Sequence, residues 1–78
     1  MAKQHKTARE LEALVFAEAR KARECKGLTG VTVQGIADDR VDYNWNVSHA
    51  HNATRMCERI IVKIETRLQK LYDLEATN

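Results

Sequence analysis

Residues 41–48 read Val41-Asp42-Tyr43-Asn44-Trp45-Asn46-Val47-Ser48, with apolar and polar side chains in strict alternation. A period of two over eight residues is the pattern of a β-strand with one buried and one solvated face. The stretch contains the single tryptophan of the chain and one of its two tyrosines. It predicts a β-strand in the middle of the chain, between two segments with helical periodicity.

A second β-branched run, Gly30-Val31-Thr32-Val33-Gln34-Gly35-Ile36, precedes this strand and predicts a β-hairpin. The residues between the two runs, Ala37-Asp38-Asp39-Arg40, are typical of a turn. If the valines share the core face with the tryptophan, Val33 lies opposite Trp45 and Gly35 opposite Tyr43. A bulge at Gly35 would also place the valines and Trp45 on the same face of the hairpin.

A first helix is predicted from about Ala8 to Lys26. Thr7 and Glu10 have the spacing of a capping box, in which each side chain accepts a hydrogen bond from the other residue's backbone N–H. One apolar stripe at helical spacing follows, and Gly27 suits the residue after a helix end. The stripe comprises Ala8, Leu11, Leu14, Val15, Ala19, Ala22 and Cys25.

A second helix is predicted from about Ala50 to Leu74, because the apolar period changes again after the strand. A coiled-coil-like seam with alternating spacings of four and three runs along it, formed by Cys57, Ile61, Ile64, Leu68 and Leu71. Such a stripe must be covered by other apolar surface.

These elements predict an α+β fold in the order helix–β-hairpin–helix (αββα), with both helices packed on one face of an antiparallel hairpin. The chain is expected to be one domain, residues 1–78, with a flexible N-terminus at 1–6 and a frayed C-terminus at 75–78. A two-stranded sheet has two unpaired edges. Joining hairpins, or second helices, of two chains would cover this surface, so we expect a homodimer.

The two cysteines, Cys25 and Cys57, are predicted to face inward near the same end of the molecule. The N-terminal residues lack the apolar run of a signal peptide, and no segment is long and apolar enough to span a bilayer. These features predict a cytoplasmic chain with no membrane contact and with reduced thiols. The cysteines are therefore interpreted as two small core residues rather than as a disulfide or metal pair.

Glu18 falls in the centre of the first helix's apolar stripe, between Leu14 and Ala22. A carboxylate in that position must find a partner, reach the rim of the core or take up a proton. Two interpretations follow: a buried acid poised for ligand binding or proton transfer, or a structural contact with Arg67 or a histidine.

The predicted entrance of the second helix offers a candidate anion site. Ser48, His49, His51 and Arg55 would lie beside free backbone amides at the positive end of the helix dipole. The His-x-His spacing also suits a metal, but no third ligand has a suitable spacing. An ordinary capped helix start explains the same residues without a ligand.

A basic ridge recurs every three to four residues along the second helix and flanks the apolar seam. Its members are Arg55, Arg59, Lys63, Arg67 and Lys70. The ridge could meet an acidic protein or nucleic acid phosphates, or it could be a solvated helix face. Thirteen basic and eleven acidic residues give a formal charge of only +2, which does not by itself identify an anionic partner.

No motif in the sequence supports catalysis. The chain has no Gly-rich phosphate loop, nucleophile elbow or HExxH motif, so no catalytic residue, metal or cofactor is expected. The leading hypothesis is a small non-enzymatic domain that self-associates and binds a protein. The alternatives are a nucleic-acid-binding module that uses the basic ridge, and a small-anion or ligand binder, or an enzyme, centred on Glu18.

The last half of the chain resembles a group of short uncharacterised alphaproteobacterial proteins. The resemblance rests on Asp42-Tyr43-Asn44-Trp45-Asn46-Val47, on Cys57, and on Leu68-Gln69-Lys70-Leu71-Tyr72-Asp73-Leu74. It implies a bacterial intracellular protein with the helix–hairpin–helix order. It carries over no activity, cofactor or catalytic residue.

Overall fold

The computed structural model of this chain describes residues 3–75. The elements, in chain order, are β1 (Gln4–Lys6), α1 (Ala8–Ala19), a 3₁₀ helix (Arg23–Cys25), β2 (Gly30–Gly35), β3 (Trp45–His51), α2 (Arg55–Leu71) and β4 (Tyr72–Leu74). β2 and β3 form an antiparallel hairpin, and β1 pairs with β4 in parallel. The mixed α+β class with two helices and an antiparallel hairpin is confirmed, whereas the sequence pattern does not predict the terminal strands.

The register of the hairpin differs from the predicted one by two residues. Val33 lies opposite Val47, and Gly35 lies opposite Trp45. The strand begins at Trp45, four residues later than its alternating pattern suggests, because residues 36–44 form a loop that Ile36 and Asn44 close with a 2.9 Å backbone hydrogen bond. The prediction of strand structure at residues 41–44 is therefore wrong, although the buried position of Trp45 is as expected.

A β-bulge interrupts the hairpin in its middle rather than at the end of β2. Thr32 pairs with His49 while the next residue, Val33, pairs with Val47, so Ser48 is the extra residue on β3. An inserted residue bends its strand and increases the local twist.

The chain ends are joined by the parallel pair of β1 and β4, in which Gln4 lies opposite Tyr72. The N–H of Glu75 donates to the carbonyl of Lys6 at 2.7 Å, and the Lys6 ammonium lies 5.5 Å from the centre of the Tyr72 ring. Gln4–Lys6, part of the predicted flexible N-terminus, form strand β1. The remaining terminal predictions, for residues 1–2 and 76–78, lie outside the described residues.

α1 begins as predicted but ends seven residues early. Both hydrogen bonds of the capping box are present between Thr7 and Glu10. The helix stops at Ala19, and Ala22 is extended, with φ −92° and ψ 135°. An unbroken helix would carry Cys25 about 9 Å past Ala19 along the axis. The break instead lets the 3₁₀ helix pack against α2.

α2 begins five residues later than predicted and ends three residues earlier. The segment assigned to its first turn continues β3 as far as His51, because Gly30 of β2 pairs with it. Asn52 then adopts a left-handed conformation with φ 61°, which asparagine tolerates better than most residues. The hydroxyl of Thr54 caps the helix by accepting the N–H of Cys57 at 3.1 Å.

Trp45 is the centre of the core. Its side chain is fully buried, and its indole N–H donates to the carbonyl of Tyr72 at 3.0 Å, where α2 passes into β4. The backbone carbonyl of Trp45 accepts the side-chain amide of Gln69 at 2.7 Å. The preceding residue, Asn44, exchanges two hydrogen bonds with the backbone of Leu74. The hairpin, the end of α2 and β4 are thus connected at two adjacent residues.

The two cysteines form a disulfide, which corrects the prediction of free thiols. Cys25 and Cys57 face inward as expected, and both are buried. Their Cα atoms lie 4.8 Å apart and their sulfur atoms are bonded. The reason is geometric, because the break after α1 brings the 3₁₀ helix to the first turn of α2. The bond crosslinks residues 32 positions apart in the chain.

Loss of this disulfide should lower the free energy of unfolding by about 3–4 kcal/mol, the loop-closure entropy that a crosslink over roughly 32 residues removes from the unfolded chain. Chemical denaturation of the oxidised chain, the reduced chain and the Cys25→Ala/Cys57→Ala variant, followed by the fluorescence of Trp45, measures this loss. Equal midpoints for the oxidised and reduced chains would contradict the crosslink.

Candidate functional site

α2 carries the exposed large hydrophobic residues of the described chain. Met56, Val62 and Leu71 are the large hydrophobic residues that remain exposed within residues 3–75, at 52%, 56% and 52% respectively, and all three belong to α2. Scattered single apolar residues on a surface need no explanation, but Met56 and Val62 line one groove, which makes this part of α2 a candidate contact surface. The absence of Leu71 from the core also corrects its predicted place in the seam.

A shallow groove of about 630 Å³ lies on this part of α2. We call this surface the α2 groove; it is lined by Glu24, Met56, Arg59, Ile60, Val62 and Lys63. Three of these side chains are apolar, two are basic and one is acidic. The groove therefore combines apolar and charged side chains, as protein-binding surfaces commonly do.

The acidic residue of the groove, Glu24, lies on the 3₁₀ helix. The hydroxyl of Thr54 donates to the carbonyl of Glu24 at 3.2 Å, and the disulfide holds the adjacent Cys25 against α2. Three residues of 3₁₀ helix have little stability of their own. The position of Glu24 therefore depends on the attachment of the 3₁₀ helix to the start of α2.

The basic ridge runs beside the α2 groove, and all five of its residues, Arg55, Arg59, Lys63, Arg67 and Lys70, are exposed. Arg67 forms an ion pair with Glu18 at 3.4 Å. The other four form no ion pair with any residue in the described part of the chain. Two ridge residues, Arg59 and Lys63, also line the α2 groove.

The opposite side of α2 is occupied by the core, which fixes the groove on the outside. The predicted seam is confirmed for its first four members, Cys57, Ile61, Ile64 and Leu68, which are buried within the chain. The helix is also attached to the strand beside it: Gln69 donates to the carbonyl of Trp45, and Glu65 accepts the N–H of Val47 at 2.6 Å.

A second carboxylate accepts a backbone N–H on the other edge of the hairpin. Glu12 of α1 accepts the N–H of Val33 at 2.9 Å. Val33 and Val47 lie opposite each other in the hairpin, and each donates its N–H to a helix carboxylate instead of to the other strand. We call Glu12 and Glu65 the edge carboxylates. They satisfy backbone donors that an added strand would need.

The two routes to a homodimer considered from the sequence are therefore taken up within one chain. The edge carboxylates cap one N–H on each side of the hairpin, which opposes extension of the sheet by a second copy. The seam of α2 is buried against the chain's own core and is not available to another helix. The homodimer itself stays a prediction.

Glu18 is half-buried rather than buried, with its side chain 35% exposed. It forms ion pairs with Lys21 and Arg67, both at 3.4 Å, and Arg67 is one of the partners considered from the sequence. The positive charge of Lys21 is the largest cause that lowers the pKa of Glu18, and hydrogen bonds from Lys21 and Arg67 lower it further. This carboxylate is held ionised at neutral pH, unlike an acid poised to transfer a proton.

The candidate anion site is not assembled as predicted. Ser48, His49 and His51 lie on β3 and not at a helix entrance, because pairing with β2 extends the strand through them. Of the four residues, Arg55 alone lies at the start of α2. Ser48, His49 and His51 therefore do not lie at the positive end of the α2 dipole. Ser48 and His49 instead line a groove whose far wall contains carboxylates, Glu58 and Glu65, which disfavours an anion there.

Within residues 3–75, no group of three or more metal-ligating side chains could hold an ion. The histidine rings of β3 lie 4.5 Å apart at their centres, and Nε2 of His51 is 3.0 Å from the hydroxyl of Thr32. In the same range, no helix is long and apolar enough to cross a membrane.

Sequence reasoning missed the residues that build the surroundings of the groove, namely the edge carboxylates, Gln69 and Asn44. Each contacts a backbone group more than fifteen residues away in the chain. Periodicity places Glu12 and Glu65 only at the edges of the apolar stripes of their helices. The location of Gln69 beside the apolar seam was the available signal, but it does not indicate which backbone group it meets.

Comparison with known protein families, with curated proteins and with solved structures finds no match for this chain.

Removal of the edge carboxylates should both destabilise the chain and promote association. Each of Glu12→Ala and Glu65→Ala leaves a partly buried N–H without its charged acceptor, at a cost of about 1–3 kcal/mol. Denaturation and light scattering of the double variant measure the two effects, and Glu58→Ala on exposed α2 is the matched control. A double variant as stable and monodisperse as this control would contradict the role of the edge carboxylates.

Protonation of Glu18 in acid should lower the free energy of unfolding of the chain. Because its folded-state pKa is lowered, the stability it adds is present at neutral pH and is lost as the pH falls below the ordinary value of 4.5 and through the lowered one. The Glu18→Gln variant should therefore show a shallower loss of unfolding free energy between neutral and acidic pH. Identical pH profiles for the variant and the wild type would refute this assignment.

Proposed function

We propose that this chain is a small non-enzymatic domain that binds a protein partner through the α2 groove and the adjoining basic ridge. Both helices would lie on one face of the hairpin, so that α2 presents its outward side. The observation that carries the proposal is the occurrence of the exposed apolar side chains of Met56 and Val62 on both sides of the cations Arg59 and Lys63, which form no ion pair within the described residues. Apolar contact area supplies affinity, and the surrounding charges supply orientation and specificity.

A nucleic-acid-binding module is the second candidate, because four cations of the ridge have no carboxylate partner within the described residues. Phosphate contact by these four cations should reduce duplex affinity about 150-fold when salt rises from 50 to 200 mM. The apolar residues near these cations favour a protein instead, since a phosphate backbone offers no apolar surface to contact Met56, Ile60 and Val62. Anisotropy of a labelled 20-base-pair duplex at both salt concentrations separates the two functions.

A ligand binder or enzyme centred on Glu18 has less support. The carboxylate is engaged by two cations, and its lowered pKa opposes proton donation near neutral pH. Small-anion binding by Ser48, His49, His51 and Arg55 remains a prediction. Three of these residues lie on β3 and not at the entrance of α2.

The cytoplasmic location predicted from the sequence also remains a prediction, and the disulfide weighs against it. Reducing compartments keep most thiols free, whereas structural disulfides form in oxidising ones. The homodimer likewise remains a prediction. Size-exclusion chromatography with light scattering tests it directly, and a strict monomer would end it.

Position-specific photo-crosslinking in the native host tests protein binding. A photo-reactive amino acid at Val62, in the α2 groove, should give a discrete adduct whose attached species is a protein by mass spectrometry and resists nuclease. The matched control carries the same amino acid at Ala13, which is exposed on α1. Nuclease-sensitive adducts, or the same adducts from both positions, would contradict the proposal.

A further inference from the structure

We infer that the occupant of the α2 groove is an acidic amphipathic helix of a partner protein. This inference deepens the proposed function and rests on it. It commits to a secondary structure and a charge for the partner, each of which follows from a separate feature of the surface.

The helical structure of the partner follows from the kind of surface that this chain offers to it. A strand-like partner needs free backbone groups at a sheet edge, and the edge carboxylates already occupy the N–H groups of Val33 and Val47. The α2 groove instead offers a helix surface, with Met56 and Ile60 one turn apart. Rows of side chains at this spacing receive the side chains of a second helix between them.

The length of the ridge sets the length of the partner. From Arg55 to Lys70 the helix rises about 22 Å, which corresponds to a partner helix of roughly 15 residues. A helix of that length places apolar residues on one stripe about four turns long. Such a stripe can cover Met56 and Ile60, which lie on the same face of α2.

The sign of the partner's charge follows from the ridge. Arg55, Arg59, Lys63 and Lys70 form no ion pair within residues 3–75, so they are available to carboxylates of a partner. A basic helix would be repelled along the whole ridge, and so would α2 of a second copy in an antiparallel two-fold contact. Charge complementarity of this kind selects partners more than it adds affinity.

Glu24 adds one detail to this pattern. It is the acidic member of the groove lining, and it lies beside Met56 near the start of α2. One basic residue near one end of the acidic partner helix would therefore pair with it. The asymmetry fixes the direction in which the partner lies along α2.

A displayed library tests the inference without knowledge of the natural partner. The probe is a phage library of single helices with a constant scaffold and fully randomised surface positions, selected on the oxidised full chain. Enriched helices should carry apolar residues at i, i+3 or i+4 spacing, flanked by Asp and Glu. Synthetic copies should bind the Arg59→Glu/Lys63→Glu variant at least about tenfold more weakly.

The matched control is Arg9→Glu on exposed α1, which changes charge without touching the groove and should leave binding unchanged. Circular dichroism of each variant verifies that the fold is retained, as expected for exposed positions. Enrichment of neutral or basic helices would overturn the inference, as would equal binding to the Arg59→Glu/Lys63→Glu variant or the absence of enrichment. A protein adduct at Val62 combined with any of these results would refute the inference while leaving the proposed function standing.

Discussion

The hydrogen bond from the indole of Trp45 to the carbonyl of Tyr72 joins the two halves of this small protein. A 78-residue chain has little core, and its largest buried side chain is this tryptophan. The ring fills the space between hairpin and helices, while its N–H holds the end of α2. Gln69 closes the same connection from the helix side by donating to the carbonyl of Trp45.

The position of the proposed binding surface is a consequence of this connection. Because Gln69, Glu65 and the buried seam hold one side of α2 against the hairpin, the opposite side must face outward. The disulfide then holds the 3₁₀ helix at the start of α2 and positions Glu24 at the groove. The same attachments also cap the edges of the hairpin. With one N–H capped on each edge of the hairpin, the outward face of α2 is the surface that we propose for binding.

Local features were the predictable ones. The capping box of Thr7 and Glu10 and the seam from Cys57 to Leu68 both depend on contacts three or four residues apart, which periodicity detects. The exposure of the basic ridge was predictable for the same reason.

Features decided by distant contacts were not predictable in this way. His49-Ala50-His51 has no strong preference, so pairing with β2 determines that it is a strand. The disulfide requires the break after Ala19, which no glycine or proline marks. The three-residue terminal strands are too short and too polar to give a periodic signal.

Hydrogen exchange at the Trp45 indole tests the central claim most directly, since a single tryptophan gives one indole N–H resonance in the NMR spectrum. If that proton is buried and bonded to Tyr72, it should exchange only when the whole chain unfolds, with a protection free energy equal to that of global unfolding. Exchange at the rate of a solvent-exposed indole would contradict the connection between hairpin and α2, and with it the placement of the α2 groove.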